Sequence, residues 1–159
     1  MLHLCVHGAG HNWRRMDWIA DAAFLGRMLD TAQWFDVLEQ AERIGARRML
    51  LLGARLAAWL FGLEVPNAIA RAVEADRTGA ALAARACLRL AGEDCAAARQ
   101  SPFYYLRTMD HMRDRARLVW KRVCTPPAWV LRMVPASGRG LAHVLRPIQL
   151  LRAHVWTRR

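Results

Sequence analysis

The sequence predicts an all-α fold, a multi-helix bundle of about seven to eight helices with no sheet. Three observations predict it. Apolar residues recur at intervals of three and four through most of the chain, Gly and Pro fall where such segments would end, and no stretch alternates long enough to make a strand. With 55% hydrophobic and 23% charged residues the chain has the composition of a folded domain, and its 159 residues suffice for one ordinary core.

A first helix over about residues 2 to 11 would place His3, His7 and His11 at i, i+4 and i+8, on one face. A second, from about Arg14 to Leu29, is expected to bury Met16, Ile19, Ala23 and Met28, with Asp17 and Asp21 on a narrow polar strip. Phe35 to Ala46 repeats the pattern with Leu38, Ala41 and Ile44 inward and Gly45 suited to the C-cap. Met49 to Phe61, interrupted only by Gly53 and Arg55, reads as the buried central helix. At about thirteen residues it is too short for the roughly 20 of a membrane span.

Pro66 is placed to open the next helix, and Gly79 to separate it from an Ala-rich helix ending near Gly92. Ser101-Pro102 supplies an N-cap and first-turn proline for a long helix carrying Leu106, Met109, Ala116, Val119 and Val123, ended by Pro126-Pro127. Beyond it, Ala128 to Val134 is expected to be a short helix and residues 136–140 a loop. The last segment, Leu141 to Trp156, should break or kink at Pro147. The expected division is a helical core over 1–125 and an Arg-rich helical extension over 126–159.

The net charge of +11 belongs to one half of the chain. Residues 1–79 hold nine Arg and nine acids, whereas residues 80–159 hold fifteen basic and four acidic residues. A single lysine among the 24 basic residues, beside abundant Ala, fits a base-composition bias as well as it fits an anionic ligand. Nucleic acid is an unlikely partner: the sequence contains no helix-turn-helix spacing, zinc-finger pattern or aromatic RNA-binding strand. An anionic surface remains open, because Trp120, Trp129 and Trp156 are interleaved with Arg. Cys5, Cys87, Cys95 and Cys124 form no CxxC pair and no dense framework, and the first residues lack the charged region, apolar stretch and cleavage site of a signal peptide. Reduced thiols in the cytoplasm are expected, with peripheral attachment to a membrane as the variant.

The chemically suggestive cluster opens the chain: His7 and His11, then Trp13, Trp18 and Asp21, are the candidate cleft or ligand-binding residues. Three readings stay open. His7 and His11 could be buried hydrogen-bonding residues that lock the first helix to the second, with Trp13 and Trp18 packed around them. They could contact a nucleotide or phosphate. As a weak alternative, two His four apart could chelate a metal with Asp21 as third ligand. No catalytic residue is assigned.

Leu2-His3-Leu4-Cys5-Val6-His7-Gly8-Ala9-Gly10-His11-Asn12-Trp13, followed by Trp18 and Asp21, resembles the signature of the uncharacterised nucleotidyltransferase family of bacterial polysaccharide and natural-product gene clusters. Arg48 to Gly53 resembles that family's central helix. Thr125 to Trp129 and Leu145-Arg146-Pro147 resemble its C-terminal motifs. Gly10 stands where relatives usually carry a base, and Ala128 where they tend toward an acid. The resemblance implies the helical C-terminal part of a nucleotidyltransferase, with Mg and a nucleoside triphosphate used by the full-length family. The Asp-x-Asp palm would lie upstream or on a separate catalytic chain. The closest-spaced acids, Glu74 with Asp76 and Glu93 with Asp94, follow no strand and small-residue loop of the kind that chemistry needs. Met1 directly before the apolar stretch is expected of a truncated gene product or a misplaced start codon, and such a chain should be inactive alone.

Overall fold

The computed structural model describes residues 1–92 and 102–126. Over these residues the chain is all-helical: α1 (Leu2–Gly10), α2 (Met16–Met28), α3 (Thr31–Arg43), α4 (Arg47–Phe61), α5 (Asn67–Ala75), α6 (Arg77–Leu90), α7 (Pro102–Thr108) and α8 (Met112–Cys124). No strand occurs among the described residues. The chain divides into two compact units, Met1–His111 and Met112–Arg159.

In the first unit α4 is central, as its sequence requires. Residues Met49 to Ala57 are buried without exception, and α1, α2, α3, α5 and α6 all pack against it. A helix that is apolar on every side must be enclosed by other elements. No helix among the described residues is long and apolar enough to cross a membrane.

The face that α2 turns to α4 is mostly of small residues: Ala22, Ala23 and Gly26 are buried beside Ile19. That corrects the expected stripe at its ends, because Met16 is exposed and Met28 is 66% exposed. Small side chains let the two helices approach closely, and a Cβ at Gly26 would lie 2.8 Å from Leu63 Cδ2. Arg27 then donates from its guanidinium to the carbonyl of Phe61, satisfying an acceptor at the C-terminal end of α4.

α3 begins four residues earlier than the apolar pattern suggests. Asp30 accepts from the Gln33 amide at 2.8 Å while the Gln33 side chain accepts from the Asp30 amide at 2.9 Å, a reciprocal capping box. The helix buries Trp34 and Ala41, and its expected inward residue Ile44 is 62% exposed at the C-cap. Gly45 ends it as expected, in the left-handed region at φ 69°, with Ala46 N–H returning to the Ala41 carbonyl at 2.8 Å.

Two breaks fall elsewhere than expected, and one side-chain network explains both. α5 and α6 part at Asp76, not at Gly79, because the Asp76 carboxylate caps α6 by accepting from Gly79 N–H at 3.0 Å. The single long helix expected after Ser101-Pro102 is divided into α7 and α8 around Asp110. Asp110 accepts from the Arg48 amide at 3.2 and 3.3 Å, capping the first turn of α4 from outside that helix. The Arg48 side chain pairs with Asp76 at 3.1 Å and donates to the carbonyls of Arg107 and Met109 at 3.1 and 3.4 Å. Ser101 and the segments expected over 127–159 lie outside the described residues.

α8, the described part of the second unit, is a basic amphipathic helix. Met112, Val119 and Trp120 are exposed among Arg113, Arg115, Arg117 and Lys121.

Candidate functional site

The opening motif is first a device for folding α1 back on itself. His11 is the C-cap, Asn12 turns left-handed at φ 58°, Asn12 N–H bonds the Ala9 carbonyl at 3.1 Å and Trp13 N–H bonds the Gly8 carbonyl at 2.8 Å. This is a Schellman turn with Asn in the left-handed place, a position Asn tolerates better than most residues. The turn drives the Trp13 ring onto Gly8, where an added Cβ would meet it at 2.6 Å. Gly53 of α4 meets the same ring, at 3.1 Å from where its Cβ would stand, beside the Cys5 thiol. Trp13 is fully buried. Its indole N–H has no hydrogen-bond partner among the described residues.

The same turn leaves the other rings outside. His3 and His7 of α1 and His11 at its C-cap share one face, as their spacing predicts, and all three are exposed. The His7 and His11 ring centroids are 4.6 Å apart. Trp18, half-buried at the start of α2, meets His7 edge-on at 4.9 Å and His11 at 5.5 Å. His3 stacks more distantly on His7, at 6.4 Å. His7 and His11 are therefore not the buried hydrogen-bonding lock that one reading expected: they are exposed and touch through ring faces and edges.

Asp21 is exposed one turn beyond Trp18 on α2. No three His, Cys, Asp or Glu among the described residues gather into a group that could hold a metal. The acids nearest the chain's interior are committed elsewhere, Asp76 and Asp110 to Arg48 and to helix caps.

Arg15, which sequence reasoning passed over, pairs with Asp17 and completes the face. The Arg15 guanidinium sits 5.8 Å from the Trp18 ring centroid and donates to Asp17 at 3.0 Å. That hydrogen bond, more than the charge itself, holds the Asp17 carboxyl below its ordinary range and raises the Arg15 guanidinium. The sequence signal was the Arg15-x-Asp17 spacing at the α2 N-terminus. The arrangement offers a π surface, imidazole N–H groups and a guanidinium side by side, which suits an aromatic ring or an anionic group.

No curated protein and no solved structure matches the chain. Residues 1–62, which contain α1 to α4 and every ring of the exposed cluster, match the family described as uncharacterised nucleotidyltransferase.

Proposed function

We propose that this chain is the helical part of a nucleotidyltransferase and presents the His7–His11–Trp18 face to the nucleotide, while the metal-binding carboxylates belong to a palm outside these residues. The carrying observation is the position of the ring cluster: exposed, built by the opening motif, and inside the family-matched segment. A base would stack on the indole and imidazole rings, and phosphate would draw on imidazole N–H groups and Arg15. The chain alone would bind weakly and catalyse nothing, acting in the cytoplasm with the palm as its partner.

The test is an NMR titration of the full chain with ATP, CTP, GTP and UTP. At least one nucleotide should move the His7 and His11 ring resonances, and Trp18→Ala should weaken binding by about tenfold, the loss expected for one stacking partner of 1–3 kcal/mol. Unmoved His7 and His11 signals with all four nucleotides at about 5 mM would refute this reading.

A second reading follows from α8. Its exposed Met112, Val119 and Trp120 among Arg and Lys suit attachment to an anionic membrane surface. Binding to phosphatidylserine vesicles that is lost on Trp120→Glu, and that weakens as salt rises, supports it; vesicle binding insensitive to both removes it.

A further inference from the structure

On the side of α4 that faces α5, the wall of a groove of about 410 Å³ holds Arg55, Trp59, Glu64, Asn67 and Glu74. Arg55 is the unusual member. It is only 8% exposed and, among the described residues, pairs with no carboxylate. One guanidinium nitrogen reaches the Asp76 carbonyl at a long 3.4 Å, and the guanidinium carbon lies 5.5 Å from the Trp59 ring centroid. The other two nitrogens make no hydrogen bond and stay within reach of solvent, since the indole N–H of Trp13 is the sole buried side-chain donor left unpaired among the described residues.

An arginine does not shed its proton when it is buried, so its charge must be met by an anion or by water. The open edge of its planar fork matches a carboxylate in a two-bond arrangement. Glu64 and Glu74 on the same wall give the groove a net negative balance, which disfavours a phosphate dianion or a dicarboxylate and favours a ligand with its own positive centre. Trp59, half-exposed beside the guanidinium, adds a flat apolar surface that also attracts a cation.

We propose that this groove binds a small zwitterion of the amino-acid type, its carboxylate held by Arg55 and its ammonium placed by Glu64 and Glu74 against Trp59. The site is separate from the ring cluster of α1 and α2 and does not depend on how that cluster is used.

The test uses the full chain and the standard L-amino acids at about 10 mM each, with succinate and putrescine as the matched dianion and dication. The Trp59 indole N–H resonance, assigned from the Trp59→Phe variant, is the readout. At least one amino acid should shift it, succinate and putrescine should not, and Arg55→Gln should abolish the shift. Because Arg55 is buried, Glu74→Gln, an exposed change, serves as the second variant and should weaken binding about tenfold. A Trp59 signal that no amino acid moves overturns the proposal. So do succinate binding as tightly as any zwitterion and binding that survives both Arg55→Gln and Glu74→Gln.

Discussion

Trp13 keeps its place because two glycines make room for it. Its ring lies against Gly8 of its own Schellman turn and against Gly53 of the central helix. Gly8→Ala or Gly53→Ala should each cost about 1–3 kcal/mol, the usual penalty for forcing atoms into a filled core, read as a lowered urea midpoint. An unchanged midpoint for both would mean that the ring is not held this way. Cys5 shares the contact, and burial pushes its thiol up to about 12 from an ordinary 9.0. The unfolded chain releases that proton near pH 9 and the folded chain retains it. Stability from this group is therefore complete below about pH 9 and falls as the pH climbs toward about 12, by at most about 1.4 kcal/mol per pH unit. Burial raises the Tyr104 phenol above its ordinary 10.0 as well, adding a loss that begins at higher pH. Urea midpoints measured from about pH 8.5 to 11 should fall in the parent and fall less in Cys5→Ala; equal slopes would show the thiol to be hydrated.

Among the elements, the junction of α4, α6 and α7 depends on two carboxylates around Arg48. Asp110→Ala removes a cap from α4 and should cost about 0.5–2 kcal/mol. Asp76→Ala removes both the α6 cap and the Arg48 partner, so it should cost more than Asp110→Ala in the same thermal or urea measurement. A smaller loss would mean that the part-buried Arg48 pair adds nothing to stability. These long-range caps also explain which parts of the fold were legible in the sequence. The central helix, the shared face of His3, His7 and His11, and the stop at Gly45 depend on residues within one or two turns, and they read directly. The breaks at Asp76 and Asp110 depend on Arg48, 28 and 62 residues away, and periodicity carries no trace of such a partner. Met28 and Ile44 matched an apolar stripe yet stand exposed, because helix ends pass beyond the neighbour that covers the middle. The exposure of His7 and His11 was undecidable for a similar reason: spacing gives a common face, and packing decides whether anything covers it.

At the scale of the whole molecule, the excess charge lies in the second unit and the large buried side chains among the described residues lie in the first. Residues 112–159 contain eleven basic residues and one acid, so residues 1–111 hold thirteen against twelve and are nearly neutral. Every large, fully buried side chain among the described residues, from Cys5 to Thr108, lies in the first unit. The buried hydrophobic clusters among the described residues are made of first-unit residues, and 111 residues are enough for an independent core. A chain ending at His111 should unfold cooperatively in urea with a midpoint close to that of the full chain, while its retention on heparin at about 0.1 M salt should collapse. Both readouts are needed, since they separate a self-contained core from a basic appendage. A non-cooperative transition would show that residues 112–159 complete the core, and retained heparin binding would place the anion-binding surface in the first unit, where Arg15 and the imidazoles of α1 would be the groups to replace next.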